Sequence, residues 1–109
     1  MMTYKELNEI YNELKEIDEK AYYSIVEQIK YEDAENNIRR SRNITESLVK
    51  VRTLLEFSYK KAELEDDKKT VYRIEEEAKK ELEIAKHYYE LIEKRNDEIT
   101  KERYKLING

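Results

Sequence analysis

Six small or apolar residues follow one another at intervals of seven in the last third of the chain, and nothing between them interrupts a helix. They are Val71, Ala78, Ala85, Ile92, Ile99 and Leu106. A seven-residue repeat is typical of one side of a helix that packs against other helices. The chain has no proline, and its single glycine is the last residue. The sequence therefore predicts an all-α fold, with a third and longest helix over about residues 70–107 whose repeat forms a self-association seam.

The size and composition of the chain leave room for one domain with a thin core. The chain has 109 residues, of which 44% are charged and 39% hydrophobic, whereas about a quarter of an average globular domain is charged. Such a chain can line narrow apolar stripes along helices but cannot fill a thick interior. Disorder is disfavoured because the net charge is only -4 and the apolar residues recur with a helical period. We therefore expect a single helical domain over residues 1–109.

The first helix is predicted over about residues 3–31. Thr3 and Glu6 have the spacing of a capping box, in which each side chain binds a free backbone amide at the helix start. The helix carries one apolar stripe, formed by Leu7, Ile10, Tyr11, Leu14, Ile17, Ala21, Ile25 and Ile29. The next apolar residues lie off this stripe, so we expect a turn before the second helix. Asn36-Asn37 is the favoured site, because asparagine tolerates left-handed backbone angles.

A second helix is predicted over about residues 38–64. Its apolar stripe is formed by Ser41, Ile44, Leu48, Val51, Leu55, Tyr59 and Ala62. Residues 65–70 contain no apolar side chain, and either Asp67 or Thr70 could cap a new helix. Two architectures follow from this pattern. Either three helices form an antiparallel helical bundle or coiled coil with short turns, or the second and third helices fuse into one long rod that dimerises.

The predicted helix lengths favour a bundle that self-associates. At 1.5 Å per residue the three helices would be about 44, 41 and 57 Å long. The third helix would extend past its neighbours by roughly 15 Å, which would leave Ile99 and Leu106 uncovered. Uncovered apolar positions of this kind usually mark a contact with a partner. We therefore expect homo-oligomers that form through the third helix.

Charge is unevenly distributed along the chain. Residues 1–37 contain four basic and ten acidic side chains, whereas residues 38–61 contain seven basic and two acidic ones. One side of the second helix is predicted to be a basic strip, formed by Arg39, Arg42, Lys50, Phe57, Lys60 and Lys61. Positive charge beside an exposed ring is typical of surfaces that bind single-stranded nucleic acid. In the alternative interpretation the strip neutralises the acidic first helix, either within the bundle or across a dimer, and Phe57 is buried where the two helices meet.

Candidate catalytic and metal-binding residues are scarce. The chain has no cysteine, one histidine and no internal glycine, which excludes thiol nucleophiles, zinc fingers and glycine-rich phosphate loops. Glu83 and Glu90 flank His87 on one side of the third helix, but His87 points away from the apolar repeat. A di-iron bundle would also need two Glu-x-x-His motifs. The sequence therefore predicts a protein that is not an enzyme and has no metal, cofactor or small-molecule substrate.

Tyrosine is unusually abundant, with ten residues against one phenylalanine and no tryptophan. Most of the tyrosines are expected to fill the edge of the thin core, with the ring buried and the hydroxyl in water. The adjacent pairs Tyr22-Tyr23 and Tyr88-Tyr89 cannot both point inward, so at least one residue of each pair should be exposed. Because tyrosine is enriched at protein interfaces, Tyr23 and Tyr88 are candidate protein-contact residues.

Together these features favour a non-enzymatic interaction protein that self-assembles and docks on another protein. Its role would be that of a scaffold, an adaptor, or an inhibitor of the kind that viruses direct against host proteins. A nucleic-acid-binding accessory factor that uses the basic strip is the alternative, with single-stranded DNA as its ligand. The first residues are too polar for a signal peptide, and residues 21–26 form the longest uncharged apolar run, far short of the ~20 residues of a membrane span. We therefore expect a cytoplasmic protein with no membrane partner.

Overall fold

The computed structural model describes residues 3–108, which form an all-α bundle of three long helices. Helix α1 spans Tyr4–Ile29, and α2 spans Glu35–Thr53. A π-helical segment, Leu54–Tyr59, joins α2 directly to the short α3, Lys60–Leu64. We call this uninterrupted run, residues 35–64, the middle helix. Helix α4 spans Lys68–Asn108 and is the longest. The predicted all-α bundle is confirmed.

Contacts between side chains show that the three helices alternate in direction. Thr45 of the middle helix donates a hydrogen bond to Asp18 of α1, and the rings of Tyr4 and Tyr59 lie 5.4 Å apart. Residue numbers therefore fall along the middle helix as they rise along α1. Helix α4 runs parallel to α1, because it pairs with α1 in rising order at Lys86–Glu13 and again at Glu93, which accepts from Ser24. The bundle measures 65 × 19 × 16 Å.

The start of α1 follows the sequence expectation, whereas its end does not. The Thr3 hydroxyl accepts a hydrogen bond from the Glu6 amide at 3.2 Å and caps the helix. The predicted apolar stripe is buried as far as Ile25, but Ile29 is 57% exposed and Gln28 is buried in its place. The inclusion of Ile29 in the stripe was therefore wrong. Gln28 follows Ile25 by three residues, and this spacing keeps its side chain on the core side of the last turn of α1.

The first turn lies at residues 30–34, so its expected location at Asn36-Asn37 was wrong. Helix α2 already begins at Glu35, whose amide is bound by the Asp33 carboxylate at 3.0 Å. Asn37 is buried in the first turn of this helix and donates a hydrogen bond to the Gln28 side chain at 2.6 Å. This cross-helix bond explains the helical position of Asn37, because its buried amide satisfies a buried group of α1.

The second turn breaks the chain between the middle helix and α4. Asp66 has a φ of 52°, a left-handed value that aspartate tolerates better than most residues. Asp67 then caps α4, because its carboxylate accepts from the Thr70 amide at 3.1 Å and from the Thr70 hydroxyl at 2.6 Å. These bonds to Thr70 hold the pKa of Asp67 below its usual value. The alternative of a continuous rod through residues 65–70 was therefore wrong.

The heptad of α4 lies inside the bundle. Five of its residues, Val71, Ala78, Ala85, Ile92 and Ile99, are buried, with exposed fractions between 0 and 7%. Their assignment to a self-association seam was therefore wrong, because the other helices of the same chain already cover them. Ile99 in particular was expected to be uncovered. It lies in a groove beside Gln28 and Tyr31, so the first turn of the chain extends the bundle far enough to reach it. Only Leu106, at 86% exposed, remains uncovered.

The π-helical segment keeps its core residues on the side of the middle helix that is buried. Val51, Leu55 and Tyr59 are all buried and lie four residues apart twice in succession, a spacing that also occurs over residues 17–25 of the regular α1. In an α-helix each four-residue step turns the side chain by about 40° away from the previous one. A π-helical turn holds more residues, so Leu55 and Tyr59 remain on the core side. Phe57, midway between them, points outward and is 67% exposed.

Candidate interaction surfaces

Helix α4 is joined to both of its neighbours by polar side chains. Towards α1, Lys86 pairs with Glu13 at 3.5 Å and Ser24 donates to Glu93 at 2.5 Å. Towards the middle helix, Glu81 accepts a hydrogen bond from Ser47 at 2.6 Å and pairs with Lys50 at 3.8 Å. Two of the three sides of the bundle are therefore closed by hydrogen bonds and ion pairs.

A polar cluster fastens the first turn to α4. Arg95 donates two hydrogen bonds to the Glu32 carboxylate, from Nε at 2.9 Å and from Nη2 at 2.5 Å. Gln28 donates to the same carboxylate at 2.8 Å and accepts from Asn37. The bond to Arg95 lowers the pKa of Glu32, and the same bond raises the pKa of Arg95. This cluster therefore connects all three helices at one end of the bundle.

The third side, between α1 and the middle helix, is different. None of the ion pairs formed by residues 3–107 joins these two helices. Apolar and aromatic side chains of α1 lie there with large exposed areas: Tyr4 at 43%, Tyr22 at 63%, Val26 at 40% and Ile29 at 57%. Their spacing of 18, 4 and 3 residues places them on one stripe of α1. Asp18, which contacts Thr45 of the middle helix, lies on the same stripe.

The middle helix contributes three more exposed apolar residues to this side. Val49 is 43% exposed and follows Thr45 by about one helical turn. Phe57 is 67% exposed, and Leu64, at 89%, lines a groove of about 640 Å³ together with Tyr4 and Tyr59. We call the combined surface the apolar face; it comprises Tyr4, Tyr22, Val26, Ile29, Val49, Phe57 and Leu64. Among the described residues it holds seven of the thirteen large hydrophobic side chains that are exposed.

Several residues of the apolar face lie next to the predicted core stripe in the sequence. Helical periodicity alone does not distinguish them from residues at the margin of the core. Tyr4, Tyr22 and Ile29 lie beside the buried stripe of α1, on the side towards the middle helix. Sequence periodicity grouped such residues with the margin of the core. Only the packing of the middle helix decides how much of each side chain stays in water.

The basic strip points outward, but its charges are only partly free. Arg39 pairs with Glu35 at 2.7 Å on the same helix, and Lys50 pairs with Glu81 of α4. Within residues 3–107, Arg42, Lys60 and Lys61 are exposed and form no ion pair. The interpretation in which the strip packs on α1 of the same chain and buries Phe57 there was therefore wrong. The positive charge of the middle helix is not neutralised by α1 of the same chain.

The two candidate contact tyrosines differ in their surroundings. Tyr23 is 60% exposed, beside an equally exposed Tyr22 whose ring centroid is 5.7 Å away. Tyr88 and Tyr89 are both half-buried and pack against the core, so the expectation of one exposed residue in that pair was wrong. Burial and the nearby Glu93 raise the pKa of Tyr89. Tyr88 is therefore not freely available as a contact residue.

The last turns of α4 form a small second apolar surface. Arg103 lies 3.7 Å above the ring of Tyr31 and holds this part of the helix to the first turn. Beyond it, Tyr104, Leu106 and Ile107 are 68%, 86% and 77% exposed. These three side chains occupy only about one helical turn, which is much less than the apolar face.

The described residues carry neither a cluster of metal ligands nor a helix that could cross a membrane. His87 is exposed, and its ring lies 5.7 Å from that of Tyr88. Residues 3–108 contain no group of three or more histidine, cysteine, aspartate or glutamate side chains arranged to hold a metal ion. In the same part of the chain, no helix has both the length and the apolar composition that crossing a membrane requires.

The fold and these surfaces define a three-helix bundle with one exposed apolar side. Comparison with protein-family models, with curated proteins and with solved structures finds no match to this chain. Its function is therefore inferred from its own surface.

Proposed function

We propose that this chain is a non-enzymatic helical-bundle protein that acts by binding protein, including copies of itself, through the apolar face. One observation carries the proposal: within the described residues, large exposed apolar side chains are concentrated on the side of the bundle where no ion pair joins the two helices. Exposed apolar surface rimmed by polar residues often marks a protein interface. The exposed tyrosines and Phe57 are residue types that are enriched at interfaces.

The dimensions of the apolar face suit such a role. Helix α1 has 26 residues and is therefore about 39 Å long, and two helices side by side are about 20 Å wide. The two helices that carry the face thus have a projected outline of about 800 Å², which is as large as the area per partner of a standard stable interface. A scaffold, adaptor or inhibitor role would follow where another protein occupies the face. A cytoplasmic location is part of this proposal, and cell fractionation would test it.

The proposal is tested by placing a charge on the apolar face and, as a control, elsewhere on the bundle. Leu64→Glu changes the most exposed residue of the face, whereas Tyr72→Glu changes a 59% exposed tyrosine of α4 outside it. Light scattering coupled to size-exclusion chromatography should show self-association at least tenfold weaker for Leu64→Glu and unchanged for Tyr72→Glu. Equal behaviour of the two variants would contradict the proposal, provided that circular dichroism shows both to be folded.

Binding of single-stranded nucleic acid is a second candidate function, favoured by the exposed Phe57 beside Lys60 and Lys61. An exposed ring can stack on bases while free cations contact phosphates. The overall charge opposes this candidate, because the net charge is -4 and the pI is about 5.3, whereas nucleic-acid-binding domains usually have a pI above about 9.

The nucleic-acid candidate makes its own prediction for fluorescence anisotropy with a labelled oligothymidylate. Affinity should fall steeply as salt increases, because cations released from the backbone drive binding. Charge reversal of Lys60 and Lys61 to glutamate should abolish it. Affinity that is insensitive to both changes would rule this candidate out.

A further inference from the structure

We infer that the first turn is a strap that opens away from the C-terminal part of α4 while the rest of the bundle stays folded, and that Arg95 and Arg103 hold it closed. The strap comprises residues 30–34, between α1 and α2. Segments that control access to a surface are typically the parts of a fold that open most easily. The inference invokes no partner, so it does not depend on the proposed function.

The apolar residues buried at this end of the bundle are separate from the main core. The main core is one cluster that reaches Ala21 in α1 and Ile92 in α4. Ile25, Ala34 and Ile99 are also buried, with exposed fractions of 7%, 3% and 6%, but they do not belong to that cluster. The strap can therefore separate from α4 without opening the main core.

The strap itself buries little apolar surface. Ala34 is its only buried residue, whereas Lys30, Tyr31 and Asp33 are exposed and Glu32 is half-buried. The gain from burying a side chain is roughly proportional to the apolar area removed from water, and the alanine side chain is a single methyl group. Hydrophobic burial therefore contributes little to holding the strap closed.

Two arginines of α4 make side-chain contacts that close the strap. Arg95 donates two hydrogen bonds to Glu32, at 2.9 and 2.5 Å, and Arg103 lies 3.7 Å above the ring of Tyr31. The side chains of Arg95 and Glu32 are 31% and 27% exposed, so water reaches both. Ion pairs in contact with water contribute little net stability. The strap is thus held by contacts that solvent can replace.

Opening leaves neither charge of the Arg95–Glu32 pair without a partner. Arg95 also donates to Glu98 at 3.1 Å and to Glu102 at 3.4 Å, and these bonds remain because all three residues belong to α4. Glu32 moves into water and keeps Gln28 as a donor, at 2.8 Å. The large cost of leaving a buried charge unpaired is therefore avoided in the open state.

Hydrogen bonds that do not involve α4 join the strap to α1 and α2. The Asn37 side chain donates to the Gln28 side chain at 2.6 Å, across the two ends of the strap. The amides of Tyr31 and Glu32 donate to the Gln28 carbonyl at 2.9 and 3.1 Å. Because these bonds persist when the contacts with α4 break, the strap moves as one piece.

Opening lengthens the apolar surface at the end of α4. Ile99 lies in a groove of about 240 Å³ beside Gln28 and Tyr31, and it precedes the exposed Leu106 by one heptad. Residues one heptad apart lie on the same side of a helix. With the strap open, Ile99 and Leu106 form one exposed stripe. The closed strap therefore limits the length of this surface.

The test is thiol labelling, which is clean because the chain has no cysteine. Ala34→Cys reports on the strap, and Ala85→Cys is its matched control, because Ala85 is fully buried in the main core. A maleimide should label Ala34→Cys at least about tenfold faster than Ala85→Cys, because the strap opens locally. Urea should accelerate only the labelling of Ala85→Cys steeply, since the effect of urea scales with the surface exposed. Equal rates with equal dependence on urea would overturn the inference.

A second matched pair tests the uncovering of Ile99 itself. Ile99→Cys and Ile92→Cys are the same change one heptad apart on α4, the first under the strap and the second in the main core. These changes shorten a side chain, whereas the alanine variants enlarge one, so this pair decides if an alanine variant does not fold. The labelling of Ile99→Cys should be the faster and the less sensitive to urea. Indistinguishable labelling of the two would contradict the opening of the strap.

Two kinds of added substitution separate the strap from the core. Arg95→Gln and Arg103→Gln should each accelerate the labelling of Ala34→Cys at least about twofold. Ile44→Val weakens the main core and should accelerate the labelling of Ala85→Cys by about twofold to tenfold, but leave that of Ala34→Cys unchanged. Acceleration of both by Ile44→Val would show that the strap opens only with the whole bundle. Unchanged labelling after both arginine substitutions would show that the arginines do not hold it. Either result would reject the inference.

Discussion

At the scale of single residues, buried polar side chains determine how the first two helices meet. Gln28 and Asn37 are 4% and 1% exposed, and Asn37 also accepts from Arg40 at 2.7 Å. Within the described chain no buried side-chain nitrogen or oxygen is without a hydrogen-bond partner. Helical periodicity could not predict this pair, because it ranks polar residues as exposed and does not identify partners on another helix. The misplacement of the turn at Asn36-Asn37 has the same cause.

The Gln28–Asn37 bond predicts a clear difference between a single and a double substitution. Asn37→Ala leaves the Gln28 oxygen buried without its donor, so the free energy of unfolding should fall by about 1–3 kcal/mol. Replacing both Gln28 and Asn37 by leucine removes both polar groups and should restore part of the loss. Urea unfolding measures the two changes. An Asn37→Ala variant as stable as the wild type would show that the bond contributes nothing.

At the scale of elements, the middle helix and the first turn show what the sequence could and could not predict. The stripes of α1, α2 and α4 followed from spacing alone, because burial of one side produces a 3.6-residue period. The π-helical segment did not, because the two four-residue steps from Val51 to Tyr59 also occur over residues 17–25 of the regular α1. The cover over Ile99 could not be predicted, because helical periodicity does not show that the turn at residues 30–34 packs on α4.

The polar cluster at the first turn predicts a specific pH dependence. Because the Arg95 guanidinium lowers the pKa of Glu32, the cluster stabilises the fold above the ordinary carboxyl pKa of 4.5. This contribution is lost as the pH falls through the lower pKa of the folded state. The melting temperature of the wild type should exceed that of Glu32→Gln at neutral pH, and the difference should shrink in acid below about pH 4.5. A constant difference down to pH 2 would contradict this account.

At the scale of the whole molecule, α4 is packed in the bundle along most of its length and extends beyond it at its C-terminal end. Ile99 is 6% exposed and Leu106 is 86% exposed although they are one heptad apart. The sequence correctly predicted the bundle, but it could not predict which surface stays open. Which surface stays open depends on how the three helices pack against one another. The heptad of α4 is used within the chain, and the apolar face between α1 and the middle helix is left exposed.

These two residues predict opposite results for the same substitution. Ile99→Asp buries a carboxylate in the bundle and should lower the free energy of unfolding by at least about 2 kcal/mol. Leu106→Asp should change it by less than about 0.5 kcal/mol, because Leu106 is already in water. Thermal or urea unfolding measures both. Equal effects of the two substitutions would contradict the conclusion that α4 is buried at residue 99 and exposed at residue 106.

If the apolar face binds a second copy of the chain, the contact covers the face on both copies. Sedimentation equilibrium of the unmodified chain over a wide concentration range measures this pairing. We predict that the mass rises from the 13.4 kDa of one chain and levels off at twice that value, 26.8 kDa, because a two-fold contact uses up the face on both copies. A mass of 13.4 kDa at every concentration, or growth beyond two copies without a plateau, would contradict the account.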